Sequence, residues 1–513
     1  LIVPIKVKNF GFLICLDRRK RLRIYSQVFA QFLYKPISLA AKLKSGDYKS
    51  EEDPMKLPVW MCSSPAKSPE KPGPKWDQER NPFLIDYATV IHSNFFRRLS
   101  NKTQVFSNPK PDHIRTRLTH SIEVEQITRQ LTRCLIKILL ENKFAVPQEI
   151  AICVEDLAAT TALAHDIGHG PFGHTGQVLL DKLCSEFKQS KQMKKVKAIK
   201  SPVSFDDNNQ SVHMLLSPNA YESLQVSCAL VDSIIKKKAS PCYKEDRNRL
   251  RQVLDATGTQ FEYRNPISFL MEAADDIAYL AADLEDCLRI SSLRNINKEY
   301  KEFLKAALKV PAKSKGGIST NLSDLLKEPF GLQSNSHAAH VSIIKWAIKH
   351  VITSLSEAVK KSKSRDLNDL PQILHSYAFS KTISSVKDKG EYNFLYTDNS
   401  GDSSGADIKA LKSALYRWVL NTESIHRQDV LINKVLSDTW SVLSELTHQN
   451  YLKNPAFGLL DEDSKVRLHM AHQSESDEIP IRVVVDFISG MTDRYAVEFW
   501  NRLKNPDYLK LAS

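Results

Sequence analysis

No run of apolar residues in this 513-residue chain approaches the roughly 20 needed to cross a bilayer; the best candidate, Asn9 to Leu16, is far too short. A membrane-embedded protein is therefore not expected, nor a membrane partner. Basic residues follow that segment as well as precede it, and no convincing cleavage site comes after it, so it does not read as a signal peptide. The eight cysteines, at 15, 62, 134, 153, 184, 228, 242 and 287, include no Cys-x-x-Cys pair. That argues against a disulfide scaffold and for reduced thiols, mostly core filler, in the cytoplasm. No internal repeat is visible and strand-like alternation is scarce, which leaves a mainly α chain. Acids are also in short supply: 59 Asp and Glu against 72 Lys and Arg give a net charge of +13 and a pI near 9.1. Such a balance favours polyanionic partners, a phosphorylated substrate, nucleic acid or both. Charge alone does not choose, because the basic runs at 18–23, 191–200, 236–238 and 360–365 are scattered and read first as solvated faces.

What is present is the composition of a soluble globular protein, 42% hydrophobic and 26% charged. The length suits two to three domains or one large domain with insertions. Residues 1–75 read as an arm ending in a proline-rich linker at 63–74. The segment before Met55, the first methionine, has two readings: a genuine arm, or an extension that is not native. From Trp76 the texture changes to long amphipathic helices. Over 115–140 apolar residues fall at 118, 122, 124, 127, 131, 135, 136, 139 and 140, a helical period. A second helix runs from Glu155 to His165, and a third, alanine-rich, starts at Pro266. Residues 185–215, 311–340 and 386–406 read as loop-rich, and helical patterns resume at 407–420, 427–448 and 481–504.

The densest polar chemistry is His165-Asp166-Ile167-Gly168-His169-Gly170-Pro171-Phe172-Gly173-His174, where an apolar helical pattern runs into glycines and a proline. A buried helix end has no use for four such side chains, each of which costs free energy unless paired or bound to a metal. His120 falls in the first turns of the 115–140 helix, and Asp275 and Asp276 lie in the third. Three helices thus each bring a ligand-type side chain to an apolar face. Two imidazoles and two carboxylates suit Mn²⁺, Fe²⁺ or Zn²⁺ and, less comfortably, Mg²⁺. Neighbouring helical positions point about 100° apart, so His165 and Asp166 can share an ion only where the backbone turns, as it can at Gly168. His169 and His174 then fall on the loop beside the ion.

The order His, His-Asp, Asp on successive helices resembles the HD-domain metal phosphohydrolases. The finer match is to the deoxyguanosine triphosphate triphosphohydrolase (dGTPase) branch, which cleaves a dNTP to deoxynucleoside and inorganic triphosphate. Five blocks carry it: Arg97-Arg-Leu-Ser-Asn-Lys-Thr-Gln-Val-Phe106; Arg115-Thr-Arg-Leu-Thr-His-Ser121; the stretch above; Met271-Glu-Ala-Ala-Asp-Asp-Ile-Ala-Tyr279 with Leu284-Glu-Asp286; and Asp486-Phe-Ile-Ser-Gly-Met-Thr-Asp-Arg-Tyr-Ala496. The resemblance implies an HD-domain helical fold with helical insertions, its core at 76–300, and a helical C-terminal region at 301–513 packed on it. It implies His120, His165, Asp166 and Asp275 as metal ligands, with Asp276 the alternative for the last. His174, with His169 and Gln177, would form the catalytic group beside the α-phosphate. Arg117 would hold phosphate, Gln104 would lie near the base, and Tyr279 would pack against the sugar and exclude a 2′-hydroxyl. Mn²⁺ or Mg²⁺ is the expected cofactor, with Fe²⁺, Zn²⁺ or Ni²⁺ as other occupants. A dNTP substrate, dGTP by preference, a homo-oligomer, hexameric by preference, and single-stranded DNA as a further partner follow from the same resemblance.

Two departures stand out. Family members usually place an acid three residues after the catalytic histidine, and here that place holds Gln177, which accepts a hydrogen bond but offers no charge. Slower turnover is expected. The block at 205–213, Phe-Asp-Asp-Asn-Asn-Gln-Ser-Val-His, resembles the family's Phe-Glu-Gly-Asn-Ala-Gln or Phe-Glu-His-Asn-x-Gln, with Asp206 for Glu and Asp207 for Gly or His. Whether Asp207 supplies the charge missing at Gln177 is open at this level. These departures favour a competing class, a catalytically weakened nucleotide sensor or single-stranded nucleic-acid binder; the intact ligand set favours an enzyme.

Overall fold

The computed structural model of the chain describes residues 2–7, 10–16, 22–26, 57–67, 69, 81–105, 113–189, 203–217, 224–236, 242–259, 263–290, 298–313, 319–321, 332–387, 392–398, 403–420, 423–473 and 479–504. The basic run at 191–200 and most of that at 18–23 lie outside these residues, as does half of the proline-rich stretch. Contacts divide the chain into Leu1–Lys56 and Leu57–Ser513. The first unit holds a three-stranded antiparallel sheet, β1 (Ile2–Val7), β2 (Phe10–Leu16) and β3 (Leu22–Ser26), with Ile2 opposite Cys15 and Phe12 opposite Ser26. The arm expected over 1–75 thus differs in two ways. It contains strands, as the β-branched density of residues 2–7 favours, and its boundary falls at 56/57. Trp60 and Met61 are buried in the second unit, where Trp60 Nε1 donates to Leu367 O at 2.8 Å and Ala66 N to Val226 O at 2.8 Å.

The second unit is helical, a mainly α HD fold. Helix α1 (Pro82–His92) opens on Asn81, whose side chain accepts from the Phe83 and Leu84 amides, with proline at the first helical position. Helix α2 (Arg117–Glu141) starts at a reciprocal Thr116–Thr119 cap and buries Val124, Ile127, Leu131, Leu135 and Leu139. Helix α3 (Gln148–Ala164) is buried without a break from Leu157 to Ala164. After it come α4 (Gly173–Gln189), α5 (Asp207–Leu216), α6 (Cys228–Ser233) and α7 (Pro266–Arg289), the last capped by Asn265. Helices α2, α3 and α7 pack on one another. Against α7 lies α8 (Leu332–Lys361), whose start overlaps the loop expected over 311–340. The polar residues from Ser334 to His337 hide it in the sequence; the stripe Ala339, Ile343, Ala347, Val351 and Leu355, all buried, is what makes it a helix.

Toward the C-terminus follow α9 (Ser404–Leu420), α10 (Glu423–Leu443), α11 (Glu462–Gln473), α12 (Pro480–Gly490) and α13 (Asp493–Lys504). One hydrophobic cluster joins Phe172, Leu180 and Cys184 to Trp440, Ile488 and Phe499. The loop before α4 is therefore packed by the C-terminal helices α10, α12 and α13. Among the described residues no helix is long and apolar enough to cross a membrane.

Candidate active site

Helix α3 ends at Ala164, and His165 stands at its C-cap in a helical conformation, φ −60° and ψ −30°. The chain then turns, so His165 and Asp166 both reach the same space. His165 Nδ1–H donates to Ala162 O at 2.6 Å, which leaves Nε2 with its lone pair in the neutral ring. That Nε2 is buried and has no hydrogen-bond partner among the described residues. Asp275 Oδ1 stands 3.5 Å from it and Asp166 Oδ1 3.7 Å, spacings of groups that face a common point. His120, from the first turn of α2, brings Nε2 to 3.0 Å from Asp275 Oδ1. Ligand atoms of His120, His165 and Asp275 all lie within 4.8 Å of one another, and Asp166 borders this cluster. Two imidazole nitrogens and carboxylate oxygens around an orphaned buried nitrogen fit a divalent transition metal.

Of the adjacent acids on α7, Asp275 enters the cluster. Asp276 is held elsewhere, by Asn393 Nδ2 at 2.8 Å and by the Lys412 ammonium. Both carboxylates at the cluster also meet cations. Arg117 NH1 donates to Asp166 Oδ2 at 2.5 Å, and Lys236 Nζ to Asp275 Oδ2 at 2.6 Å. Burial disfavours a charged Asp166, yet Arg117 and His165 hold its carboxyl far below the usual range. Asp275 is depressed in the same way against burial, first by Lys236 and then by His165. For His165, burial pulls the pKa down and the carboxylates of Asp166 and Asp275 more than reverse it. Lys236 was hidden in the sequence by the two lysines that follow it. Its distinguishing mark is that it ends the apolar run from α6 through Ile234 and Ile235.

The other expected residues gather around this cluster. Tyr279 packs edge-on to His120 at 6.1 Å and lies 5.6 Å from Tyr416, centroid to centroid. Gln104 is buried, and neither its Oε1 nor its Nε2 has a partner among the described residues. His169 is buried and donates from Nδ1 to Gly170 O at 3.0 Å; burial first, then Arg117, pushes it down to about 4, so it is neutral near pH 7. His174 is exposed, at the start of α4, with Nδ1 3.3 Å from Gln177 Oε1.

The loop between His169 and His174 is held from outside. Phe172 and Gly173 both have positive φ, 65° and 61°. Phe172 N–H donates to Asp493 Oδ1 at 2.7 Å, while Asp493 Oδ2 accepts from Thr103 N at 3.0 Å and from the Thr103 hydroxyl. Lys102, fully buried, donates to the carbonyls of His169 and Ser489. The Asp486–Ala496 block thus serves the loop, since it contains Asp493, which fixes the Phe172 amide, and Ser489, whose carbonyl shares Lys102 with His169.

Two family models match the chain, one described as HD domain over residues 117–204 and one as phosphohydrolase-associated domain over 401–502. Among curated proteins, a deoxyguanosinetriphosphate triphosphohydrolase-like protein of Rickettsia rickettsii (strain Iowa) is 26% identical over 436 residues, 84% of this chain and 93% of that protein. One of the same name from Bartonella quintana (strain Toulouse) is 27% identical over 437 residues, 83% of this chain and 89% of that protein.

Proposed function

Because the chain belongs to the HD-domain, dGTPase-like family, we propose that it hydrolyses deoxynucleoside triphosphates, dGTP by preference, to deoxynucleoside and inorganic triphosphate. The observation that carries this reading is His165 Nε2, buried without a hydrogen-bond partner among the described residues and faced by Asp275 and Asp166 at 3.5 and 3.7 Å. His120, His165, Asp166 and Asp275 would hold a divalent cation, Mn²⁺ or Mg²⁺. What such an ion supplies when bound is Lewis-acid polarisation of a phosphoryl oxygen.

The chain's own residues do the rest. Arg117 and Lys236 place two cations at the ligand carboxylates, where an entering triphosphate meets fixed positive charge. Gln104 offers a buried donor and acceptor to a base edge, and burial of a polar pair without partners is justified by a ligand that completes it. Tyr279 is the platform for the sugar. In the reaction a water oxygen bonds to the α-phosphorus, the bond from that phosphorus to the sugar O5′ breaks, and O5′ takes a proton. His174 and neutral His169 are the groups placed to move protons on the loop side.

Purified protein incubated with each dNTP and Mn²⁺ or Mg²⁺ should release deoxynucleoside and triphosphate. Release of monophosphate and pyrophosphate instead, or turnover of none, rejects the proposal. A second reading, a nucleotide or single-stranded nucleic-acid binder that retains the fold, is favoured by Gln177 at the place of an acid. A salt-dependent shift on single-stranded DNA with no dNTP hydrolysis would select it.

A further inference from the structure

Three side chains near the mouth of the site form an ordered series. His174 Nδ1 lies 3.3 Å from Gln177 Oε1, and Gln177 Nε2 donates to Asp207 Oδ1 at 3.1 Å. His174 and Gln177 sit three residues apart on α4, one helical turn, while Asp207 is in the first turn of α5. Asp207 Oδ1 also accepts from the Asn208 amide at 2.9 Å.

The order of these groups fixes their polarity. An ionised carboxylate only accepts; a carboxamide does both, one at each end; a neutral imidazole donates from one nitrogen and accepts at the other. Asp207 Oδ1 is the acceptor end of the series, as the Asn208 N–H that it also takes requires. Gln177 must then turn its NH₂ toward Asp207 and its carbonyl oxygen toward His174. Only an N–H satisfies that oxygen, so the proton sits on Nδ1 and Nε2 keeps the lone pair. His169 does not occupy the oxygen that Gln177 uses: its Nε2 stands 3.5 Å from Asp207 Oδ2, whereas Gln177 meets Oδ1.

We propose that Asp207 is a positioning residue that sets, through the Gln177 carboxamide, which nitrogen of His174 carries the proton. The acid missing at position 177 is in effect displaced onto the neighbouring helix, with a carboxamide as spacer. The assignment of the tautomer stands on the hydrogen-bond chain; its importance for turnover rests on the triphosphohydrolase reading.

The two parts are separable by experiment. In metal-free protein labelled with ¹⁵N-histidine, at a pH above the imidazole titration, His174 (assigned with His174→Gln) should show a protonated Nδ1 and an unprotonated Nε2. Asp207→Asn, whose amide can present either end, should shift it toward the Nε2–H form that free imidazole prefers. Gln177→Leu removes the spacer without touching α5 and should do the same, so the test survives an Asp207 variant that does not fold. Nε2–H in the unaltered protein, or variants with its spectrum, overturns the proposal. In dNTP hydrolysis Asp207→Asn should lower kcat about 10- to 100-fold, the range for groups that orient a functional imidazole, with KM changed far less. Gln177→Glu added to Asp207→Asn should restore turnover, because a glutamate accepts the Nδ1–H directly. A purely structural role for Asp207 predicts no rescue. If the unaltered protein hydrolyses no dNTP, the functional reading fails while the ¹⁵N spectra still decide the tautomer.

Discussion

His213 shows how one side chain can tie the fold to pH. Its Nδ1 is 2.8 Å from Asp246 Oδ2 and its Nε2 is 3.2 Å from Asp486 Oδ2. Both acids only accept, so both ring nitrogens donate and the ring is an imidazolium. Burial alone would lower its pKa, but Asp246 and Asp486 together raise it to about 10 from 6.5. The folded state therefore keeps a proton that the unfolded state gives up. The resulting stability is complete below about pH 6.5, falls as pH rises, and is gone above about pH 10. His213→Gln should lose that slope, so urea midpoints from pH 6 to 10 should fall more steeply for the unaltered protein. Near pH 7 the variant should be less stable by roughly 3–5 kcal/mol, the cost of breaking a buried charge pair. Parallel slopes would show that the ring is neutral.

At the level of elements, Gly168 decides how closely α5 approaches the loop after α3. A Cβ built there would stand 2.2 Å from Ser211 N and 2.6 Å from Gln210 C, both backbone atoms that have nowhere to go. The same approach lets Gly168 N–H donate to Ser211 Oγ at 3.0 Å, while that hydroxyl reaches His165 O at 3.1 Å. Gly168→Ala should cost about 1–3 kcal/mol through overpacking and pull Asp207 away from Gln177. The variant's melting temperature should fall, and kcat should fall below the level that its folded fraction explains. Much of this was legible beforehand. The helices carrying His120, His165 and Asp275 are long and periodic, and a glycine after His-Asp announced the turn. The approach of α5 was not, because a contact between residues 168 and 211 leaves no periodic trace. The resemblance favoured Asp275 over Asp276, but what holds Asp276 away, Asn393 and Lys412 from distant segments, was not legible.

Across the whole molecule, the loop that carries His169 and His174 belongs to the N-terminal half in sequence and to both halves in packing. Its apolar residue Phe172 is part of the cluster with Trp440, Ile488 and Phe499, and its backbone is fixed by Asp493, 321 residues downstream. The sequence showed the Asp486–Ala496 block as a family match without showing its use, since a carboxylate that caps a remote amide looks like any surface acid at a helix start. Asp493 is the first residue of α13, and burial pushes its carboxyl above the usual range against the pull of Thr103 and Phe172. Truncation to alanine strands the Phe172 and Thr103 amides, at about 1–3 kcal/mol for each buried donor left unsatisfied. Asn keeps one acceptor and should lie between alanine and the natural residue. Because Phe172 is already at positive φ, loss of its anchor should let the loop relax and misplace His174, so Asp493→Ala should lose kcat at temperatures where it is still folded. The measurement is kcat alongside circular dichroism at one temperature. A variant that keeps full kcat while its melting temperature drops would mean that the C-terminal helices stabilise the loop without setting its catalytic geometry.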